Sequence, residues 1–486
     1  MTTTQTVHDQ RTLFIGGAQI EPHSAERIVV RSASSGTIVG SVPDADTIDI
    51  DAAVAAAREA FDAPTGWSSW TPADRAAVLH RFAEALDARA DEMAHLISLQ
   101  NGMPIFLSRL TDSRFASQLL GYYAGLATES PIEETRASSS GGETLVRRVP
   151  VGVVAAIVPW NFPNIMAALK YAPALAAGCT VVIKPSPETV LDAVLVAEAA
   201  QEAGFPAGVI NIVPGGSAAG AHLVAHPGVD KVSFTGSTAT GRRIGEVAGA
   251  LLRPVTLELG GKSAAIILDD ADLDLARVGM ALGTALFANN GQTCFITSRI
   301  LAPRSRYDEV VRAVTGLAKS LQVGDALDPS TMVGPLVSER QRDRVEGLIA
   351  RAIAGGARLV TGGKRPAHLQ EGWFVEPTVL ADVDNASEIA QEEIFGPVVT
   401  ITPYDDEEDA IRLANASVYG LAGTVWTSDH DRGVAVAKRI VTGTVGINAY
   451  DADVFSPTTM IKSSGIGVKF GPEALASYQR FQSIYL

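Results

Sequence analysis

The stretch Val232-Ser233-Phe234-Thr235-Gly236-Ser237-Thr238-Ala239-Thr240-Gly241 decides the fold, because it passes from a β-branched apolar strand through a glycine turn into a helix start. Backbone N–H groups at such a helix start can hold a phosphate. Glycine at 236 has no Cβ to block close approach of a ligand. The spacing is not Gly-x-Gly-x-x-Gly, so this stretch alone favours dinucleotide binding only weakly.

The same strand-turn-helix unit repeats on both sides of that stretch. Short apolar runs alternate with alanine-rich segments of helical period: the predicted strands are 151–158, 180–184, 209–213, 231–235 and 254–259, and the predicted helices lie near 165–177, 190–203, 217–226 and 239–252. Repeated βα units predict a parallel sheet covered on both faces. Such sheets bind ligands at the carboxyl ends of their strands, where Asn161, Lys184, Gly215 and Gly236 fall.

Further elements flank these repeats. A helix-rich stretch precedes them, and residues 129–150 contain two strands around a Ser/Gly turn, which predicts a hairpin. After residue 260 a second alternating series begins at Ala264, passes through a helix predicted to end at Cys294, and continues to a strand at 443–448. We therefore predict an α/β protein with two α/β domains and a small β element.

Composition excludes several classes of partner. A net charge of −15 and a pI near 5.0 repel phosphate backbones and anionic lipid, so neither nucleic acid nor a membrane surface is an expected partner. The first ten residues lack the features of a secretory signal, and no apolar run is long enough to span a bilayer. Two cysteines fit a reducing compartment. We expect a cytoplasmic protein that binds a small molecule.

No metal site is predicted, because no histidine or cysteine cluster has metal-ligand spacing. His222 and His226 lie four residues apart on a predicted helix, but they lack a third ligand and are interpreted as surface histidines.

Cys294, in Asn289-Asn290-Gly291-Gln292-Thr293-Cys294, is the candidate nucleophile. A thiol must be partly exposed and partly ionised to react, and its small polar and amide neighbours favour that condition. Cys179 instead leads into an apolar strand and is interpreted as a small buried residue. A lone cysteine is more often structural than catalytic, so the case for Cys294 depends on other residues.

Glu258 is the candidate base. It alternates with Leu257 and Leu259 in a strand expected to be buried, where a carboxylate tends to have a raised pKa that suits a general base near neutrality. The alternative is a salt-bridged structural carboxylate paired with Lys262. The sequence leaves both interpretations open.

Two more residues have a chemical and an ordinary interpretation. Asn161, between two prolines, is either a neutral donor for an oxyanion or a turn asparagine. Lys184, which ends a strand before Pro185, either donates to ribose or phosphate or is a solvated loop lysine.

Four motifs together point to a family. Pro159-Trp160-Asn161-Phe162-Pro163, Leu257-Glu258-Leu259-Gly260-Gly261-Lys262-Ser263, Asn290-Gly291-Gln292-Thr293-Cys294 and Glu392-Glu393-Ile394-Phe395-Gly396-Pro397 follow one another along the chain. In their identity and order they closely resemble the aldehyde dehydrogenase superfamily of NAD(P)-dependent, acid-forming enzymes. The resemblance extends over nearly the whole chain, from Leu13 to the C-terminal region.

That resemblance implies a mechanism. The Cys294 thiolate attacks the aldehyde carbonyl, and the Asn161 amide and the backbone N–H of Cys294 hold the oxyanion of the thiohemiacetal. Hydride transfer to nicotinamide leaves a thioester, and Glu258 activates the water that hydrolyses it.

The resemblance also implies a cofactor site. Its residues are Trp160, Lys184, Gly236, Ser237, Gly241, Leu259, Glu393 and Phe395. Many NAD-preferring relatives carry a glutamate three residues after the lysine, where this chain has Pro187 followed by Glu188. We expect NAD, with NADP possible.

The expected substrate tunnel is mainly apolar and comprises Phe162, Met166, Leu169, Phe295 and Phe455. Asp451 and Asp453 are an alternative site for a cationic substrate, although solvated loop aspartates are commoner. Thr458-Thr459-Met460-Ile461 stands in place of an aromatic and glycine-containing loop that helps to form the substrate mouth in the family.

In the family's architecture, residues 1–128 and 151–257 form a Rossmann-like dinucleotide-binding domain, and 258–448 form the catalytic domain. Residues 129–150 and 470–486 resemble its oligomerisation element, so we predict a homodimer or homotetramer.

A CoA-acylating semialdehyde dehydrogenase is the alternative activity, against which Glu258 argues. A non-catalytic binding or structural member of the fold is a further alternative.

Overall fold

The computed structural model describes residues 7–486; the first six residues, which belong to the N-terminal stretch analysed for a secretory signal, lie outside the described part. The α-helices are α1 Thr47–Asp62, α2 Pro72–Asp87, α3 Ala90–Asn101, α4 Ile105–Leu110, α5 Asp112–Glu129, α6 Pro163–Ala177, α7 Asp192–Ala203, α8 Ser217–Ala225, α9 Thr238–Ala250, α10 Leu275–Phe287, α11 Tyr307–Ser320, α12 Glu339–Ala354, α13 Glu388–Gln391, α14 Glu407–Asn415, α15 His430–Ala437 and α16 Gly471–Ala476. The strands are β1 His8–Asp9, β2 Leu13–Ile15, β3 Ala18–Ile20, β4 Arg27–Arg31, β5 Ile38–Pro43, β6 Glu133–Ala137, β7 Glu143–Pro150, β8 Val153–Ile157, β9 Thr180–Lys184, β10 Ile210–Ile212, β11 Lys231–Thr235, β12 Val255–Glu258, β13 Ala264–Ile267, β14 Arg299–Pro303, β15 Arg358–Thr361, β16 Thr378–Ala381, β17 Val398–Tyr404, β18 Tyr419–Gly420, β19 Gly423–Trp426, β20 Gly446–Ile447, β21 Thr458–Thr459, β22 Ile461–Lys462, β23 Gly465–Ile466, β24 Val468–Lys469 and β25 Gln479–Tyr485.

The first sheet contains the predicted βα repeats. Its order is β23-β12-β11-β8-β9-β10-β2-β3, and β12, β11, β8, β9 and β10 are parallel. The predicted strand and helix bounds in this region agree with the structure to within two residues. The strand that follows β8 in sequence, β9, lies on one side of β8, and the later strand β11 lies on its other side. At such a reversal of strand order a ligand crevice opens, here between β8 and β11.

Both faces of this sheet are covered, as the repeats predict. Alternate residues of β8 point into different cores: Val154 and Ala156 belong to one apolar cluster, and Val153, Ala155 and Ile157 belong to another. All five side chains are buried. A continuous apolar strand is therefore required here, because neither face of the sheet contacts water.

The second sheet has the order β15-β16-β17-β14-β13-β19-β20 and is parallel except for β15. Residues 259–263 join the carboxyl end of β12 to the amino end of β13, so this connection links an inner strand of the first sheet to an inner strand of the second. The helix predicted to end at Cys294 is too long, because α10 ends at Phe287. The strand predicted at 443–448 is reduced to Gly446–Ile447.

A third sheet is formed by β25, β7 and β6. The predicted hairpin within 129–150 is confirmed, with β6 and β7 antiparallel around the Ser/Gly turn. The C-terminal strand β25 pairs along the whole length of β7 and leaves Phe481 66% and Tyr485 83% exposed. Among residues 7–486, no helix combines the length and the apolar character needed to cross a membrane.

Candidate active site

Cys294 and Glu258 meet where the two sheets face each other. The thiol Sγ of Cys294 donates a hydrogen bond of 3.0 Å to Oε1 of Glu258, although the residues are 36 positions apart. Cys294 is half-buried and lines two cavities, whereas Glu258 is buried at the end of β12. Cys179, as predicted, is fully buried. The Cys294 thiol, which is reached from two cavities, thus lies in contact with a carboxylate.

The pKa values of Glu258 and Cys294 are both shifted in the direction opposite to the one that the sequence predicts. Burial tends to raise the pKa of Glu258, but the adjacent Lys469 ammonium, the hydrogen bond from Cys294 and the charge of Lys170 together outweigh burial, so the pKa lies below its ordinary value. The predicted raised pKa is therefore wrong, and so is the pairing with Lys262. Burial and the Glu258 carboxylate together raise the pKa of Cys294 well above its ordinary value. The direction of this shift favours the protonated thiol over the partly ionised thiol that the sequence predicts.

Three buried polar residues that sequence reasoning missed surround Glu258. Lys469 forms an ion pair with Oε2, and the Thr235 hydroxyl donates to the same oxygen over 3.1 Å. Nζ of Lys170 lies 2.6 Å from the Thr235 hydroxyl, and burial lowers the pKa of this lysine far below its ordinary value. A lysine inside the apolar helix α6 is a detectable signal, but Lys469 lies in a short glycine-flanked strand with no local pattern.

A left-handed turn brings Cys294 to this place. Asn289, Asn290 and Gly291 have φ values of 49°, 60° and 73°, which asparagine and glycine tolerate best. Nδ2 of Asn290 donates to the carbonyl oxygens of Gly102 and Pro335, both over 2.8 Å. These bonds hold a strained backbone in place, and strain of this kind costs about 1–3 kcal/mol per residue. The helix predicted to reach Cys294 ends early because these three residues leave the helical region.

Asn161 follows β8 on the opposite side of the thiol. It is buried, and its Nδ2 donates one hydrogen bond of 3.0 Å to the carbonyl oxygen of Gln292. The second N–H of this amide has no hydrogen-bond partner within residues 7–486 and is available to an oxyanion. The backbone carbonyl oxygen of Asn161 accepts a hydrogen bond of 2.8 Å from Nδ2 of Asn289. This bond links the segment after β8 to the turn that precedes Cys294.

A cleft of about 220 Å³ approaches the thiol along the carboxyl edge of the first sheet. Most of the predicted cofactor residues line it: Trp160, Gly236, Ser237, Leu259, Glu393 and Phe395. The N-terminus of α9 faces this edge, and the Ser237 side chain caps it by accepting from the Thr240 N–H at 3.3 Å. Gly241 lies behind the cleft, where an added Cβ would lie 2.3 Å from Leu259. Such a cleft, with a helix start and a buried carboxylate, fits a dinucleotide.

Other predicted cofactor residues have clear partners. Lys184 is buried and donates to the carbonyl oxygens of Pro185 and Gly215 at 2.9 and 2.7 Å, and burial lowers its pKa to about 8. It is therefore not a solvated loop lysine. Glu393 accepts from the Gly261 N–H at 3.1 Å, and burial raises its pKa to about 7. Glu188 is paired with Arg340 at 3.2 Å.

A second, mainly apolar cavity of about 260 Å³ reaches Cys294 from the other side. Four of the five predicted tunnel residues line it: Phe162, Met166, Leu169 and Phe295. The prediction for Phe455 is wrong, because its ring is 68% exposed and packs edge-on against Tyr122 outside the cavity.

The loop near the C-terminus contributes to the same cavity. Asp451 and Thr458 line it, whereas Asp453 accepts from the Phe455 N–H and the Ser456 hydroxyl in its own loop. Met460 is buried at 3% exposure. The unusual 458–461 segment therefore contributes Thr458 to the wall, and Asp451 is a second carboxylate in this cavity in addition to Glu258.

The histidines interpreted as surface residues have a neighbour that the sequence did not reveal. Asp51 lies 2.6 Å from His222 and 3.3 Å from His226, so three possible ligand atoms converge. Nδ1 of His226 accepts the Gly228 N–H, which places the ring proton of the neutral histidine on the nitrogen that faces Asp51. This arrangement favours a hydrogen-bonded cluster over a metal site.

Comparisons with known proteins agree with this geometry. A family model described as "Aldehyde dehydrogenase family" matches residues 20–484. The chain is 54% identical to a geranial dehydrogenase of Castellaniella defragrans, with 98% of this chain and 99% of the relative covered. It superimposes on the crystal structure of a Mycobacterium tuberculosis aldehyde dehydrogenase complexed with NAD⁺ with a TM-score of 0.96 and 49% identity, covering 99% of both chains. A Pseudomonas syringae aldehyde dehydrogenase C mutant, complexed with NAD⁺ and octanal, gives a TM-score of 0.94 and 36% identity over 98% of this chain and 96% of that one.

Replacing Gly291 by alanine tests the turn that brings Cys294 into place. At φ 73° an added Cβ would lie 2.0 Å from the Gly396 carbonyl oxygen, so the backbone must shift. We expect Gly291→Ala to lower the free energy of unfolding by about 1–3 kcal/mol and to reduce kcat. Denaturant unfolding and aldehyde oxidation assays measure the two effects.

Gly249→Ala is the matched control, because Gly249 lies in α9 with open space around its Cα. This substitution is expected to leave activity intact and to stabilise the protein by up to about 1 kcal/mol. Equal behaviour of the two variants would contradict the assignment of a strained, function-bearing turn.

Proposed function

The chain belongs to the aldehyde dehydrogenase family, and from that premise we propose that it oxidises an apolar aldehyde to its carboxylic acid through a thioester on Cys294, with NAD as the acceptor. One observation carries this proposal: the thiol and the Glu258 carboxylate are 3.0 Å apart at a point that two cavities share. One cavity fits the dinucleotide and the other fits the aldehyde.

In the first step, the sulfur of Cys294 forms a bond to the carbonyl carbon, and the thiol proton is released to solvent through the cavities that reach Cys294. The carbonyl oxygen becomes an oxyanion, and the free N–H of Asn161 is placed to donate to it.

NAD, when bound, accepts the hydride that leaves the carbon of the thiohemiacetal. The residues that would hold it are Trp160, Ser237, Glu393 and Phe395 in the cleft, with the α9 N-terminus for its phosphates and Lys184 at the edge. The Mycobacterium tuberculosis and Pseudomonas syringae structures, both NAD⁺ complexes, support NAD rather than NADP.

In the second half of the reaction, Glu258 takes a proton from water, whose oxygen attacks the thioester and releases the acid and the thiol. In the balanced reaction, one aldehyde, one NAD⁺ and one water give one carboxylic acid, one NADH and one proton. The carboxylic acid in this balance still carries its carboxyl proton. Because Glu258 activates water to accept the acyl group, the reaction does not need CoA.

An apolar aldehyde is favoured by the walls of the second cavity. Leu107, Phe115, Ile165 and Phe470 extend the apolar lining of the predicted tunnel away from Cys294. The relative named for geranial and the neighbouring structure that holds octanal support the same substrate class. We propose a chain of medium length, branched or aromatic, bound by burial of its hydrocarbon.

We propose that β25, β7 and β6 are the oligomerisation element. The edge strand β25 exposes Phe481, Ile484 and Tyr485 together with its unpaired backbone groups, and such an edge is normally covered by another chain. The two free cysteines suit a reducing compartment, and we place the protein in the cytoplasm.

Substitutions at the two central residues separate the two halves of the reaction. Cys294→Ala is expected to abolish NADH formation. Glu258→Gln is expected to retain a rapid first turnover of NADH but to slow steady-state turnover by about 10²–10⁴-fold, because the amide cannot deprotonate water. Rapid-mixing absorbance measurements distinguish the phases, and product analysis with and without CoA identifies the acyl acceptor.

Cys179→Ala is the control, because that thiol is fully buried in the core away from the site. It is expected to retain kcat. Full steady-state turnover in Cys294→Ala or Glu258→Gln would refute the proposed mechanism.

Shortening a wall of the apolar cavity tests the substrate class. Phe115→Ala removes buried contacts worth about two CH₂ groups at roughly 0.8 kcal/mol each, so kcat/KM for octanal is expected to fall about tenfold. For propanal, whose chain is too short to extend along this wall, the change is expected to stay within about twofold.

Phe455→Ala provides the comparison, because Phe455 is an exposed aromatic outside the cavity. It should alter kcat/KM for the two aldehydes equally. Equal losses for both aldehydes in Phe115→Ala would argue against an apolar binding wall at this position.

Charging the exposed edge tests the oligomerisation element. The double substitution Phe481→Glu and Tyr485→Glu is expected to reduce the assembly size measured by light scattering, whereas Val29→Glu, on the exposed strand β4, is expected to leave it unchanged. A monomeric parent protein would contradict the proposal.

A further inference from the structure

Lys469 makes the closest charged contact to Glu258 in the site. The two side chains are 6% and 7% exposed, so the ion pair lies almost entirely outside water. Lys469 also lines the apolar cavity beside Cys294. An ion pair this deep requires good geometry, because removing two charges from water is expensive.

The two carboxylate oxygens of Glu258 have different partners. Oε1 accepts from the Cys294 thiol at 3.0 Å, whereas Oε2 contacts the Lys469 ammonium and accepts from the Thr235 hydroxyl at 3.1 Å. Nζ of Lys469 lies 3.2 Å from the same hydroxyl. The carboxylate is therefore held at one oxygen, and its other oxygen faces the nucleophile.

The C-terminal segment brings this lysine to the site. Gly465 of β23 pairs with Glu258 of β12, and the chain returns four residues later as β24, in which Lys469 pairs with Thr458. The hairpin that contains the unusual 458–461 segment therefore also positions Lys469. Its backbone hydrogen bonds fix the lysine relative to the strand that ends in the base.

Within residues 7–486, five titratable groups face Glu258 or act on it from farther away. Cys294 contacts it from the turn before β14, Lys469 from β24, and Lys170 from α6 through Thr235. Glu393 and Tyr450 act on the same pair from farther away. Lys469 is the cation in direct contact with the carboxylate.

We propose that Lys469 is a positioning residue that keeps the Glu258 carboxylate charged and directs its second oxygen towards Cys294. This inference rests on the proposed role of Glu258 as the base. In a buried site without a cation, a carboxylate prefers its neutral form, which cannot accept a proton. The ion pair thus allows a deeply buried glutamate to act as a base below neutrality.

The sign of the pH effect follows from the charges. Glu258 must be ionised to act, so turnover falls as the pH drops through its pKa, and Lys469 places that pKa below the ordinary value. With the cation removed, burial raises the pKa. The acid limb of turnover then moves to higher pH by about 1–3 units, the usual effect of one close opposite charge.

The test is the pH profile of steady-state turnover in Lys469→Met, an unbranched apolar replacement of similar length. As the pH drops from 9 to 6 we expect kcat to fall progressively below that of the parent protein, by up to about tenfold at pH 6, and at pH 9 we expect kcat equal to or above it, because the more basic carboxylate is then ionised. Lys469→Arg keeps the charge and is expected to restore the parent acid limb, which guards against a folding defect in the methionine variant.

Lys462→Met is the matched control, because Lys462 lies on the same hairpin but donates only to the carbonyl oxygens of Asn415 and Ser417. It is expected to leave the profile unchanged. A Lys469→Met profile parallel to that of the parent at every pH, whether lower or identical, would overturn the proposal. Glu258→Gln measured alongside separates the cases: undiminished turnover in that variant defeats the base role itself, not only the role of Lys469.

Discussion

The hydrogen bond between the Cys294 thiol and the Glu258 carboxylate is the constraint on which the rest of the structure depends. Glu258 ends β12 of one sheet, and Cys294 precedes β14 of the other, so their contact requires the carboxyl end of β12 to lie beside the segment that leads into β14. The short connection 259–263 enforces that meeting. Gly261 is needed within it, because an added Cβ would lie 2.4 Å from the Cys294 carbonyl oxygen. The fold thereby places the Cys294 thiol where two cavities meet, which the proposed function assigns to the dinucleotide and the aldehyde.

Holding this contact has two costs, and both are offset locally. A buried carboxylate is unfavourable alone, and the Lys469 ammonium and Thr235 hydroxyl stabilise it. A left-handed turn at Asn289 and Asn290 is strained, and side-chain amide hydrogen bonds to three neighbouring carbonyl oxygens stabilise it. Strain and unfavourable charge burial both lie within a few residues of the reacting atoms, which is where folds accumulate them when geometry must be fixed for chemistry.

The sequence predicts much of this arrangement, and the failures have physical reasons. The βα repeats were predictable because both faces of the first sheet are buried, which imposes continuous apolar strands and helical periodicity. Cys294, Glu258 and Asn161 were identifiable from motifs. Lys469 was not, because its role depends on pairing with a strand 211 residues away and its own segment has no periodic pattern. The end of α10 and the exposed position of Phe455 were missed since both depend on tertiary contacts rather than on local preference.

The most direct test of the account is to look for the covalent intermediate. Glu258→Gln protein mixed with NAD⁺ and octanal, then quenched in acid and digested, should contain an acyl group on the peptide that includes Cys294, as measured by mass spectrometry. The account predicts this thioester at Cys294 and an unmodified Cys179. An acyl group at any other residue, or NADH formed with no acylated peptide, would contradict it.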